Sequence, residues 1–288
     1  MKLRRILRSG GAYLWVGGAL LLAATACAVL APWLAPHDPN AQDLLNTLLP
    51  PAWAEGGDPQ YLLGTDSLGR CLLSRLIFGT RVAAIVGFAV PTFTALFGGA
   101  LALLAGYCGK RIDWSVSRLV DVWMSFPPVV LALVLMTTLE PGLHNVIVAT
   151  VLVDWTLVCR VVRSEVITLA KHDYVTAARI CGATHLHVVL HDILPGVAPL
   201  MLTLFSIQIG MAVVTESVLS FVGISVGPDT PTWGTMIADG LGAMYQAPSG
   251  LVFPMIAIIA IVLGANLLGE GLRRALDPRL QERSVPAA

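Results

Sequence analysis

Asp173-Tyr-Val-Thr-Ala-Ala-Arg-Ile-Cys-Gly182, continuing to Ile193-Leu-Pro195, is a polar, glycine-broken stretch between two long apolar runs. A membrane chain rarely spends such a segment on a simple tether, and the stretch reads as a cytoplasmic docking element. The chain has 288 residues, 56% hydrophobic and only 12% charged. Soluble domains carry roughly 25% charged residues. Residues 9–37, 82–109, 122–139, 193–215 and 240–269 hold no Lys, Arg, Asp or Glu. Each run is near or beyond the ~18–20 residues that cross a bilayer as a helix. A sixth run, 142–162, is apolar except for Asp154 and Arg160. The first run is too long and too poorly flanked for a cleaved leader and reads as a retained helix. The expectation is an all-α integral membrane protein with six transmembrane helices.

Charge sets the orientation. With six spans and a cytoplasmic N-terminus, Arg70, Arg75 and Arg81 are the only ones of the 18 Lys and Arg to fall outside. The excess of inward cations selects this topology, with both termini cytoplasmic. Five cysteines occur without a CxxC pair, and no disulfide framework is implied.

The domain reading is a basic tail over 1–11, a membrane domain over 12–271 and a cytoplasmic tail over 272–288. Span one runs to Pro32/Pro36 and opens an outer loop over 35–80. Near the end of that loop Arg70, Ser74 and Arg81 fall within about 40° of each other on a helix, which predicts a short amphipathic helix on the outer membrane surface. Gly109-Lys-Arg-Ile-Asp113 is a short turn between spans two and three, and Pro127-Pro128 predicts a kink in span three. A second outer loop covers 223–250. Trp33, Trp53 and Trp233 lie where interfacial tryptophans anchor.

The cytoplasmic segment over 164–195 reads as two short helices. Val175, Ala178 and Ile180/Cys181 recur at helical spacing, and Gly182 suits a left-handed helix end. Thr184 caps a second helix over 185–191, which ends before Pro195. The small residues Ala177, Ala178 and Gly182 allow another backbone to approach closely, so this segment is expected to sit in a groove of a partner.

Tyr174-Val-Thr-Ala-Ala-Arg-x-x-Gly182, with Ile193-Leu-Pro195 downstream, resembles the coupling-loop signature of ABC importer permeases, and more narrowly the second permease subunit of the dipeptide, oligopeptide and nickel family. Leu63-Gly-Thr-Asp-Ser-Leu-Gly-Arg70, Thr215-Glu-Ser-Val-Leu-Ser-Phe-Val-Gly223 with Pro231-Thr-Trp-Gly234, and Leu276-Asp-Pro-Arg-Leu280 are similar to further motifs of that family. The resemblance implies a type I importer permease fold in the bacterial inner membrane. It also implies half of a pore completed by a second homologous permease, two ATP-binding subunits, an extracytoplasmic binding protein and surrounding membrane lipid, with no nucleic acid. No cofactor is expected in this chain, and ATP and Mg would bind the partner subunits. The implied coupling residues are Tyr174, Thr176, Ala177, Ala178, Gly182, Ile193 and Pro195. The implied outer motif comprises Gly64, Asp66, Gly69, Arg70, Arg75 and Arg81. Two departures stand out: Thr176 replaces a frequent Glu, and Cys71 replaces an Asp.

The chain reads as a transport subunit rather than an enzyme. Gly109-Lys110 is no nucleotide loop, because Leu104 stands at the first glycine position and Arg111 at the Ser/Thr position. Asp154 in span four either lines a path or pairs structurally with a neighbouring span. Glu216, with Ser220, either lines a gate or pairs across an interface. His187 and His191 have metal-compatible spacing, but with His185 they lie on the cytoplasmic side and read as solvated or partner-facing. Pro50-Pro-Ala-Trp-Ala-Glu-Gly-Gly57 resembles dipeptide permeases. Arg111-Ile-Asp113, Met124-Ser-Phe-Pro127, Val162-Arg-Ser164 and Val166-Ile167 resemble nickel permeases. Small peptides are the favoured substrate and nickel or a metal chelate the alternative. A secondary transporter, a membrane enzyme and a non-transporting scaffold are remote alternatives.

Overall fold

A computed structural model describes residues 11–227 and 229–276. The basic N-terminal tail, most of the C-terminal tail and the Leu276–Leu280 motif beyond Leu276 lie outside the described residues. Among the described residues the elements are helical: α1 (Gly11–Leu34), α2 (Leu72–Cys108), α3 (Lys110–Met124), α4 (Pro128–Thr138), α5 (Leu143–Leu169), α6 (Asp173–Ile180), α7 (His185–Phe221), α8 (Trp233–Gly242) and α9 (Ser249–Leu276). Helices α1, α2, α5, α7 and α9 are each long and apolar enough to cross a membrane. Helices α3 and α4 together make a sixth candidate span that is broken in the middle. Helices α3 and α4 meet at 86°, because Pro128 restarts a helix at its first turn while Pro127 is held extended. Pro127-Pro128 therefore produces a corner, sharper than the expected kink. Helix α3 also begins at Lys110, so the expected turn over 109–113 shrinks to Gly109, whose φ is +87°.

Two of the buried apolar clusters join the long helices. Toward the cytoplasm, Ala102 and Ala105 of α2, Val116 and Val120 of α3 and Trp155, Val158, Val162 and Val166 of α5 pack with Val175, Val188, Ile193 and Val197. Toward the outside, Leu21, Leu72, Ala83, Ile209, Val213, Trp233, Met236, Ile261 and Ala265 join α1, α2, α7, α8 and α9. Small residues set the helix spacing, as is usual where lipid supplies no hydrophobic drive. A methyl group on Gly98 of α2 would lie 2.6 Å from the Trp155 carbonyl of α5.

Three expectations need correction. The outer loop ends at Cys71 rather than residue 80, and the amphipathic surface helix is absent. Instead α2 runs unbroken for 37 residues, about 55 Å at 1.5 Å per residue. Its first turns are polar because the outer loop covers them: Ser74 and Arg75 are buried, and Ser74 Oγ accepts the His37 N–H at 3.1 Å. Secondly, the expected helix over 185–191 does not stop before Pro195. It continues to Phe221 through a π turn, Val188–Ile193, in which the Leu194 N–H bonds the Val189 carbonyl. Pro195 has no N–H and its ring crowds the carbonyl four residues back; the wider turn shifts that carbonyl and keeps the helix intact. Thirdly, Trp233 is no interfacial anchor. It is buried, and its indole donates to the Leu76 carbonyl at 3.1 Å. Trp33 and Trp53 are exposed.

Candidate functional site

Helix α6 and the start of α7 form a hairpin on the cytoplasmic side. Its turn is a complete helix-ending motif. Gly182 sits at φ +84°; its N–H bonds the Arg179 carbonyl at 3.0 Å, and the Ala183 N–H bonds Ala178 at 3.1 Å. These are the two bonds of a Schellman turn, which needs a left-handed residue at that point. Thr184 then caps α7 by accepting the His187 N–H.

The hairpin has two faces. Val175, Val188 and Ile193 are fully buried and root it in the cytoplasmic core, with Ala178 and Ala183 packed beside them. The opposite face carries Tyr174, Ile180, Leu186 and Leu190, with Ile180 82% and Leu186 69% exposed. Of the sequence candidates, Tyr174, Thr176, Ala177, Gly182 and Pro195 are exposed, Ala178 is half-buried and Ile193 faces inward. Ile180 and Cys181, which recur with Val175 and Ala178 at helical spacing, are exposed. His187 and His191 stack at 4.4 Å. Among the described residues no three His, Cys, Asp or Glu converge as a metal site.

The outer motif folds into an ion-pair lock. Gly64 and Gly69 adopt φ of +85° and +72°, and any Cβ at Gly69 would lie 1.9 Å from the Asp43 carbonyl oxygen. Between them Asp66 Oδ1 accepts the Leu68 and Arg70 N–H groups, each at 2.9 Å. Its Oδ2 receives Arg70 Nε at 2.7 Å and lies 3.7 Å from Arg75 Nε. Asp239 of α8 completes the set, 2.9 Å from Arg70 Nη2 and 3.5 Å from Arg75 Nη2. Arg81 is exposed and takes no part. Asp239 escaped the sequence analysis because it stands alone, 169 positions from Arg70. Thr232 caps α8 by a reciprocal bond with Thr235, and Gly234 admits α7, since a Cβ there would lie 2.2 Å from the Ser217 carbonyl. Those contacts explain the Pro231-Thr-Trp-Gly234 motif.

Within the spans, Glu216 is buried. Its Oε1 accepts Ser220 Oγ at 2.5 Å and Ser225 Oγ at 3.3 Å, and among the described residues no cation pairs with it. Asp154 is half-buried near the middle of α5, and its Oδ2 is enclosed without a hydrogen-bond partner. Glu216 and Ser220 thus come together; no hydrogen bond or ion pair joins Asp154 to them. At the inner end of α5, Arg163 grips Asp113 of α3 with both forks, Nη2 to Oδ2 at 2.8 Å.

Residues 98–282 match the family described as binding-protein-dependent transport system inner membrane components. This chain belongs to that family. Residues 3–51 of the permease match the N-terminal membrane domain of oligopeptide transport permease C. The permease is 38% identical to the dipeptide transport system permease protein of Haemophilus influenzae over 93% of this chain and 90% of that one. It is 37% identical to the dipeptide transport system permease protein of Escherichia coli, over 88% and 85%. With the glutathione transport system permease protein of Pectobacterium atrosepticum it shares 36% identity over 96% and 90%. It is a multi-pass permease of the bacterial inner membrane.

Proposed function

We propose that this permease forms half of the pore of an ATP-driven importer of small peptides. The relatives named for dipeptide transport, aligned over most of both chains, carry that substrate reading. They favour peptides over nickel, and the three cytoplasmic histidines give nickel no support. A second homologous permease completes the pore, and an extracytoplasmic binding protein delivers substrate. The 173–195 hairpin is the docking element for one of two ATP-binding subunits, which hold ATP and Mg. What supports this role is that Tyr174, Ile180, Leu186 and Leu190 are exposed on a hairpin whose root is buried in the core. ATP-driven closure of the two subunits displaces the hairpins, and the spans rock as rigid bodies.

The test is uptake by proteoliposomes holding the whole complex and its binding protein, presented with labelled dipeptide and labelled nickel chelate in parallel. ATP-dependent entry of the dipeptide is the expected result. Entry of nickel alone overturns the substrate reading, and a complex assembled without contact to the hairpin overturns the docking role.

A further inference from the structure

One polar latch ties the hairpin to a membrane span that it does not continue. Tyr107, in the last turn of α2, places its hydroxyl 2.8 Å from His185 Nδ1. Its ring stands 5.7 Å from the His185 ring, edge to face. The Arg179 guanidinium lies over the same ring, 4.7 Å from its centre. Arg179 closes α6 and His185 opens α7, so one side chain of α2 holds both sides of the Gly182 turn.

Among the described residues the hairpin side chains rooted in the core are apolar: Val175, Val188 and Ile193, in a cluster with Trp155, alanines and valines. Apolar packing is non-directional and tolerates sliding. A hydrogen bond and a cation over a ring face have preferred geometry, so they resist it. Tyr107 stands two residues before Gly109, the joint at which the chain turns into α3. Helix α2 stays helical past Pro91 through its 37 residues and reaches the outer lock through Arg75.

We propose that Tyr107 is a positioning residue through which the hairpin drives α2, so that displacement on the cytoplasmic side reaches the Asp66–Arg75–Asp239 lock on the other side. The inference rests on the docking role of the hairpin. Three properties make Tyr107 fit for it: it contacts both arms, the contacts are directional, and it belongs to a continuous helix spanning both membrane faces.

The experiment uses the assembled importer in proteoliposomes and measures peptides carried per ATP hydrolysed. Tyr107→Phe keeps the ring under Arg179 and removes only the hydroxyl. His185→Ala removes the other partner of the same bond. Tyr107→Phe is expected to assemble with the ATP-binding subunits and to hydrolyse ATP, while peptides per ATP fall about five-fold, the factor corresponding to one net hydrogen bond. His185 lies in the docking hairpin, so for His185→Ala the ratio is read per assembled complex; the double variant is expected to lose no more than His185→Ala alone, because both delete one interaction. Tyr107→Ala, which also uncovers Arg179, is expected to lose more. An unchanged ratio in Tyr107→Phe, or losses that add in the double variant, overturns the latch. Loss of assembly in Tyr107→Phe also overturns it, since the bond would then hold the fold rather than transmit movement. Failure of the unaltered hairpin to contact the ATP-binding subunits is a separate result, read by cross-linking at Ile180, and sinks the docking role itself.

Discussion

Asp66→Ala and Asp66→Asn separate the two tasks of the outer lock. Arg75 is 3% exposed and has two enclosed N–H positions without hydrogen bonds, so its charge depends on Asp66 and Asp239. Breaking a buried ion pair from one side costs about 3–5 kcal/mol, because the remaining charge is stranded. Asp66 also accepts two backbone N–H groups that hold the turn before α2, about 1 kcal/mol each. Asp66→Ala removes both contributions, but Asp239 stays within 3.5 Å of Arg75 and shares the charge. The expected loss is therefore about 4 kcal/mol. Asp66→Asn keeps an oxygen for the backbone groups but puts an NH2 donor where Oδ2 accepts Arg70 Nε, so it loses the charge and that bond, for about 2–3 kcal/mol. Asp239 is partly exposed, and Asp239→Ala leaves both arginines on Asp66, so about 1 kcal/mol is expected. Equilibrium unfolding in mixed micelles, with proteolysis of the outer loop as a local probe, ranks the three variants. Equal losses for Asp239→Ala and Asp66→Ala would refute the lock as described, as would an Asn variant indistinguishable from the parent.

Gly182→Asp is expected to leave the chain in the membrane, since a Cβ there meets nothing within 4 Å. The φ of +84° costs a side chain about 1 kcal/mol, enough to loosen the turn. Co-purification of the ATP-binding subunits should fall about five-fold, and full recovery would remove the turn from the docking element. Asp154→Asn should leave folding intact, because Oδ2 has no hydrogen-bond partner to lose. Uptake should drop if the acid lines the path, and unimpaired uptake assigns it to structure. In the outer loop the Asn46 side chain, followed by the Leu45 N–H, holds the Asp43 carboxyl below the usual range. A depressed folded-state pKa gives stability that is complete above the unfolded value of ~3.9 and lost as pH falls through the folded value. Burial pushes the neighbouring Tyr61 hydroxyl up, so that group stays neutral throughout this window. Tyr61 fluorescence should therefore report loosening of the loop only below about pH 4; a transition near neutrality would contradict the assignment to Asp43.

Helices α1, α2, α7 and α9 were legible because charge-free length alone identifies a membrane helix, and α5 because its run is apolar apart from Asp154 and Arg160. The hairpin turn was legible because Gly182 and Thr184 act through their own backbone neighbourhood. What was not legible depends on distant partners. Arg70, Ser74 and Arg81 gave an amphipathic pattern, yet the polarity of that stretch answers a buried ion pair and the His37 backbone rather than the membrane surface. Asp239 and Tyr107 sit alone in sequence, and their importance exists only once α8 and the hairpin are folded against α2. Trp233 was read by its expected depth, whereas its position is set by the Leu76 carbonyl and by Gly79, where a Cβ would lie 2.7 Å from the indole.

Pro195 looked like a stop signal and is the opposite. A proline at the head of a span would ordinarily separate the hairpin from the membrane helix and leave a joint between them. Here the π turn at Val188–Ile193 absorbs the missing donor and the crowded carbonyl, so α7 runs for 37 residues from His185 to Phe221. The second arm of the hairpin is thereby the first part of a span that carries Glu216 and Ser220 near its outer end. Helix α5 enters the hairpin across residues 170–172, α7 leaves it by covalent continuity, and α2, latched at Tyr107, joins it by contact. Helices α2 and α7 meet again outside, where Trp233 of α8 bonds α2 and Gly234 packs on α7. A displacement of the hairpin is therefore resisted at both ends of the same pair.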